Sequence, residues 1–182
     1  GSSLTLTATL SVATTADVTV TLSTSGTGTE GTDYATISDI IVSAGATTGT
    51  ASFTPTDDSI FEANETGIVA IDSVSGADAA EDGTQSVTIT ITNDDSAPTV
   101  TLSTSATSIA ENAGSSLTLT ATLSNPTTAD VTVGISTSGT GTEGTDYATI
   151  SDITITAGST TGTTSFTPTD DSIYEGDETG IV

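Results

Sequence analysis

The run Pro55-Thr56-Asp57-Asp58-Ser59-Ile60-Phe61-Glu62-Ala63-Asn64-Glu65 places four carboxylates within nine residues, and "PTDDSIYEGDE" repeats it from Pro168 to Glu178. Carboxylates this close support two kinds of chemistry. A pair can divide general acid and base work, as in glycoside hydrolysis, or several can surround a hard cation. The chain has 24 acidic residues, no Lys, Arg or His, and a formal net charge of −24. No basic side chain can therefore pair with any of these acids. Like charges a few ångströms apart repel by roughly 1 kcal/mol per pair in water, and by more once water is partly removed. A cluster of four needs cations, protonation or separation. A solvated acidic face is the ordinary outcome of a charge run, and it competes with cation binding until the strands that carry the acids are placed.

Composition removes several functions. Nucleic-acid binding relies on Lys and Arg to displace counterions, and attraction to anionic membranes relies on them too; this chain has neither. No apolar run approaches the ~18 residues that read as a membrane helix, so direct membrane insertion is not expected. The absence of Cys excludes disulfides and thiolate sites. Without His, Cys or Lys, a nucleophile lacks an activating base, and with three Phe, three Tyr and no Trp the chain has few aromatic platforms for a sugar substrate. The expectation is a protein that is not an enzyme.

The apolar residues alternate. "SLTLTATL" puts Leu4, Leu6, Ala8 and Leu10 on one face and Thr5, Thr7 and Thr9 on the other, and "DVTVTLS" and "SVTITIT" do the same. Period two over such runs is the signal of a half-buried strand, and Thr suits its exposed face. The chain also repeats itself with a period of 113: residues 1–69 align without gaps on 114–182, with 57 of 69 positions identical. Such a period marks an array of domains. The boundary is expected near Ser96-Ala97-Pro98, giving 1–96 as a sandwich lacking its first strand and 97–182 as one lacking its last strands. One full unit reads as seven strands: A 98–109, B 3–11, C 17–23, D 35–42, E 48–54, F 66–74 and G 86–92. Seven short antiparallel strands in about 100 residues imply an all-β, immunoglobulin-like antiparallel β-sandwich.

Strand parity then sorts the acids. If each strand reverses direction, the A–B, C–D and E–F loops and the tail after G share one end. Glu111 lies in the A–B loop and Asp33 in the C–D loop. Asp57, Asp58, Glu62 and Glu65 lie in the E–F loop, and Asn93, Asp94 and Asp95 follow strand G. A solvated face does not require four segments to converge, whereas Ca²⁺ takes six to eight oxygen ligands. Mg²⁺ prefers fewer protein ligands, and zinc prefers His or Cys. Asp78, Glu81 and Asp82 fall in the opposite-end F–G loop and read as solvated.

The elements "IAENAG" (109–114), "GTEGTDY" (28–34 and 141–147), "DDSIFEANE" with its copy, and "VTITITNDD" (87–95) resemble, in this order, those of the Calx-beta domain. That module occurs in sodium/calcium exchangers and in tandem in bacterial surface proteins. The resemblance implies calcium ligands at Glu111, at Asp33 or Asp146, and at Asp57, Asp58, Glu62 and Glu65. In the second copy it implies Asp170, Asp171, Glu175 and Glu178, and after strand G it implies Asn93, Asp94 and Asp95. Asn93 departs from the Asp that is common in the family at that position. The expected role is a calcium-binding structural repeat of a long extracellular or cell-surface protein, an adhesin stalk or surface filament. Its partners would be calcium ions and neighbouring repeats, with lateral self-assembly as a further expectation. A calcium-responsive regulatory or ligand-binding module is the alternative.

Overall fold

The computed structural model describes residues 2–182, which are almost entirely strands and loops. They divide into two compact units, each treated by itself: residues up to Asp58 together with Ala63–Asp94, and Ser59–Glu62 together with Asp95–Val182.

The first unit holds β1 (Leu4–Thr9), β2 (Val18–Gly26), β3 (Ile40–Val42), β4 (Thr48–Phe53), β5 (Glu65–Ser75) and β6 (Ser86–Ile91). β1 pairs with β4, and a second sheet runs β3-β2-β5-β6, antiparallel throughout. Between the sheets lie Tyr34, Phe53, Val69 and Ile89, backed by Leu6, Leu22, Ile37 and Ile91. The Tyr34 ring stacks on Phe53 with centroids 4.6 Å apart. This is a β-sandwich in which alternate residues of each strand supply the core.

The second unit holds β7 (Val100–Thr104), a 3-10 turn at Glu111–Ala113, β8 (Leu117–Leu123), β9 (Val131–Val133), β10 (Ser138–Gly139), β11 (Ile153–Ile155), β12 (Thr161–Phe166) and β13 (Gly180–Ile181). Its sheets are β12-β8-β7, β11-β9 and β10-β13. Leu119, Ala121 and Leu123 of β8 point inward onto Tyr147, Ile150, Ile153 and Ile155, while Thr118, Thr120 and Thr122 point out, as the period-two pattern requires. Tyr147 stacks on Phe166 at 4.7 Å. A cavity of about 880 Å³ opens between Leu102, Leu117, Leu119 and Phe166, with Glu111, Glu175 and Glu178 also lining it. In the first unit, Val69 of β5 and Ile89 of β6 cover the matching aromatic floor. Ser59–Glu62 belongs to this unit through Phe61, whose N–H donates to the Pro126 carbonyl at 2.9 Å and which forms a parallel bridge with Thr127.

Several strands are shorter than the sequence suggests. Strand D, expected over 35–42, is regular only over Ile40–Val42. Carboxylates take over the backbone bonding around it: Glu30 Oε1 accepts the Ile37 N–H (2.8 Å) and Asp39 Oδ1 accepts the Leu22 N–H (3.2 Å). The β2–β5 register shifts at Thr21/Leu22, beside the latter bond. In the second unit Asp152 Oδ1 accepts the Ile135 N–H (2.8 Å), and strand C is split there into β9 and β10. Strand A, expected over 98–109, is regular over Val100–Thr104. Beyond it the Thr104 hydroxyl donates to the Ala106 carbonyl (2.9 Å); such local side-chain bonds favour turns over ladders.

Candidate metal centre

In the second unit, the loop between β10 and β11 is built around Asp146. Its Oδ2 accepts the Thr142 N–H (2.6 Å) and its own N–H donates to the Thr142 carbonyl (2.9 Å), closing a tight turn. Glu143 secures the same loop from inside: Oε2 accepts the Thr137 hydroxyl (2.7 Å) and Oε1 the Ile150 N–H (2.8 Å). These two bonds hold the Glu143 carboxyl below its usual range, the Thr137 bond contributing most. The following loop is fastened to this one, because the Thr169 N–H donates to the Asp146 carbonyl (2.9 Å) and Tyr147 bridges Pro168.

That loop carries Asp170, Asp171, Glu175 and Glu178. Asp146, Glu175 and Glu178 each bring a carboxylate oxygen to one place, the three lying within 4.8 Å of one another. Glu111, from the 3-10 turn, joins their surroundings: its Oε1 accepts the Asp171 N–H at 3.3 Å. Asp171 Oδ1 in turn accepts the Ile173 N–H (2.6 Å), shaping the turn before Glu175. Three segments separated in sequence thus deliver five acids to one end of this unit. Asp170 is exposed on the same loop.

The electrostatic consequence is visible at two of them. Partial loss of water raises the Glu175 pKa, helped by the charges of Asp171, Asp146, Glu178 and Glu111. Glu178 is raised by the same loss of water, by the charge of Asp146, by a hydrogen bond to Asp146, and by Glu111. A cation would relieve the repulsion that protonation otherwise relieves. The donors are all carboxylate oxygens, with no imidazole or thiolate in the chain, and this set fits a hard divalent cation better than zinc.

Gly141 has a part in the geometry. A Cβ built there would lie 3.3 Å from Glu178 Oε2 and 3.6 Å from the Tyr147 ring, so a side chain at this position would press lightly on the carboxylate. Gly28 stands in the same relation to Glu65 Oε2, at 3.3 Å.

The first unit repeats the loop construction. Asp33 Oδ2 accepts the Thr29 N–H (2.6 Å), Glu30 accepts the Thr24 hydroxyl (2.7 Å), and the Thr56 N–H donates to the Asp33 carbonyl (2.9 Å). Asp33 and Glu65, both half-buried, bring carboxylate oxygens within 4.8 Å. Glu62, the counterpart of Glu175, lies in the segment that groups with the second unit. Asp57 and Asp58 are exposed at the start of the loop. After β6, the Asn93 N–H donates to Asn64 Oδ1 (3.0 Å), which ties the tail carrying Asp94 to the loop carrying Glu65. Asp95 opens the second unit.

Sequence reasoning passed over Glu30, Glu143, Asp39, Asp152, Asp17 and Asp130. Each serves as a backbone acceptor; Asp17 and Asp130, for example, take the N–H of Ala44 (2.8 Å) and Ala157 (2.9 Å). For the four aspartates the available signal was position, since each stands immediately before a strand in both copies, whereas Glu30 and Glu143 lie inside loops.

Comparison with known proteins places these loops in context. The Calx-beta domain family matches residues 4–95 and again 93–182. Among solved structures, CBD12 from CALX1.2 is 18% identical, with 91% of this chain and 68% of that chain covered and a TM-score of 0.44. The calcium binding domain CBD12 of CALX1.1 is 16% identical, with 93% and 70% covered and the same TM-score of 0.44. No curated protein matches the chain.

Proposed function

Because the chain belongs to the Calx-beta family and carries two such domains in tandem, we propose that it is a calcium-binding structural repeat of a long extracellular or cell-surface protein, an adhesin stalk or surface filament. The observation that carries the calcium reading is the meeting of Asp146, Glu175 and Glu178 in a chain without a single basic side chain. Those three residues, with Glu111 and Asp171 beside them, would hold the ion in the second domain. Asp33 and Glu65 are the corresponding residues of the first, and Glu62, Asp57, Asp58, Asp170, Asn93, Asp94 and Asp95 remain further proposed ligands. Bound calcium supplies positive charge that cancels the mutual repulsion of these loops, and so stiffens the domain that presents them.

The stalk role is supported by the near-identity of the two copies, since a spacer needs repetition rather than distinct sites. The lack of Lys and Arg removes trypsin-type cleavage sites, an advantage for a chain exposed outside the cell. Lateral assembly of such stalks would likewise need cations between their acidic surfaces.

Calcium is tested by thermal melts in calcium and in chelator at equal ionic strength. An ion that binds only the folded chain stabilises it by RT ln(1 + [L]/Kd), about 2.7 kcal/mol at a hundredfold excess over Kd. Equal melting temperatures would remove calcium from the account. Location is tested separately: antibody raised against the chain should label intact producing cells, and labelling only after lysis would refute a surface role.

A further inference from the structure

The motif Gly-Thr-Glu-Gly-Thr-Asp-Tyr holds two acids, Glu30 and Asp33 in the first copy and Glu143 and Asp146 in the second. Their oxygens part company. Asp33 and Asp146 belong to the carboxylate groups described above, whereas among the described residues Glu30 and Glu143 belong to neither. Both oxygens of Glu143 are engaged by neutral donors, Oε2 by the Thr137 hydroxyl (2.7 Å) and Oε1 by the Ile150 N–H (2.8 Å). Glu30 does the same with the Thr24 hydroxyl (2.7 Å) and the Ile37 N–H (2.8 Å). The pattern therefore occurs once in each unit, with the same distances.

These bonds tie together the two arms of the loop that carries the other acid. Thr137 stands just before β10, and Ile150 lies beyond Asp146 on the way to β11. Ile150 is buried, so its N–H needs an acceptor inside the protein. The turn between the arms closes on itself. The Gly144 N–H donates to the Tyr147 carbonyl (2.7 Å), the Thr145 N–H to the Thr142 carbonyl (3.1 Å), and the Thr142 N–H to the Asp146 carboxylate (2.6 Å). The first unit repeats these bonds at Gly31, Thr32 and Asp33. Every partner in the set is a protein group, so the loop is held without drawing on an ion. An unheld loop would have to be ordered as calcium binds, and that ordering subtracts from affinity. Calcium affinity follows the rigidity of a site as well as its ligand charge.

We propose that Glu30 and Glu143 are positioning residues: each clamps its loop so that Asp33 or Asp146 presents its carboxylate before calcium arrives, and neither is itself a calcium ligand. This role rests on the calcium reading and assigns the two acids of one motif to two tasks. The tasks respond differently to substitution. Glu143→Gln removes the charge yet keeps both contacts: the amide oxygen accepts the Ile150 N–H, and the amide nitrogen donates to the Thr137 oxygen, whose hydroxyl turns away. Glu143→Ala loses both contacts. Asp146→Asn keeps its shape and loses the charge that faces the ion. A clamp therefore tolerates the amide, and a ligand does not.

The test uses the full chain with both copies changed together, checked for folding by circular dichroism and titrated calorimetrically with calcium chloride. Glu30→Gln with Glu143→Gln is expected to bind within about threefold of the parent, since a charge lost outside the ligand set acts only at a screened distance. Glu30→Ala with Glu143→Ala should bind about tenfold more weakly or worse, the usual cost of removing the support of a metal ligand. Thr24→Val with Thr137→Val removes the hydroxyl donor at nearly constant volume and should lose affinity in the same direction. That pair keeps the test decisive should the Ala pair not fold. In chelator, hydrogen exchange at the Ile37 and Ile150 amides should be slow in the parent and the Gln pair, and at least several-fold faster in the Ala pair. A Gln pair that loses as much affinity as Asp33→Asn with Asp146→Asn would make the glutamates ligands and overturn the proposal. Parental affinity in the folded Ala pair or in the Val pair, or unchanged exchange in the folded Ala pair, would overturn it equally. A parent that takes up no calcium would overturn the calcium reading and this role with it, and is told apart because the other failures all occur in a parent that binds.

Discussion

At the scale of single residues, the acids divide by what their oxygens meet. Glu143 and Glu30 face N–H and hydroxyl donors, and their charge is useful to the loop. Asp146, Glu175 and Glu178 face one another. Removing charge from the second group at constant volume should therefore weaken calcium binding. Asp146→Asn or Glu178→Gln is expected to lower affinity about tenfold or more, since ligand charge sets calcium affinity, a loss of about 1.4 kcal/mol. Asp78→Asn, in the loop between β5 and β6, should leave it unchanged. Calorimetric titration decides the matter, and equal losses at Asp78 and Asp146 would contradict the assignment. The same crowding fixes a pH dependence in chelator. Glu175 and Glu178 hold protons more tightly in the folded chain than their ordinary value of 4.5 implies. As pH rises from that value, the folded state keeps protons that the unfolded state has lost, so stability falls. The double variant Glu175→Gln with Glu178→Gln should show a flatter decline in denaturation midpoint between pH 4.5 and 7. An unchanged slope would show that other acids govern it.

At the scale of elements, the acids depend on loops held by the aromatic floor. In the first unit Tyr34 follows Asp33 directly, is buried, and stacks on Phe53. Gly67 of β5 passes across that ring: a Cβ there would lie 2.7 Å from Phe53 Cε2 and 2.8 Å from Cζ. Phe53 has no room to turn aside, being wholly buried. Gly67→Ala should therefore cost about 1–3 kcal/mol by overpacking, read as a lowered melting temperature. Adding Phe53→Leu should recover part of the loss, because contacting residues couple. A strictly additive double variant would show that the ring is not the obstacle. The period of the apolar residues made the strands legible, as in "LTLTATL" for β8, but the ends of the short strands were not. Asp39 and Glu30 replace ladder bonds with side-chain bonds at Leu22 and Ile37, and alternation carries no trace of that exchange.

At the scale of the whole molecule, a net charge of −24 without a positive side chain opposes compaction in each unit. Monovalent salt shortens the reach of that repulsion, from a Debye length of about 10 Å at 0.1 M to about 3 Å at 1 M. In chelator, raising sodium chloride over this range should raise the melting temperature. In saturating calcium the gain should be smaller, since the densest clusters are already neutralised. Calorimetric scans under the four conditions test this, and equal gains with and without calcium would mean that the clusters do not dominate the repulsion. What the sequence determined by itself was whatever depends on local pattern or on counting: the all-β class, the period of 113, the absence of bases, and, through strand parity, the end at which Glu111, Asp146 and Glu175 emerge. What only the tertiary structure decided was which acids meet and which do not. Glu143 and Asp146 stand three residues apart in one loop, yet Glu143 turns inward to Ile150 and Thr137 while Asp146 turns to Glu175 and Glu178. The physical reason is that such a meeting joins loops some thirty residues apart, fastened to each other by bonds such as the Thr169 N–H on the Asp146 carbonyl, which no local pattern records.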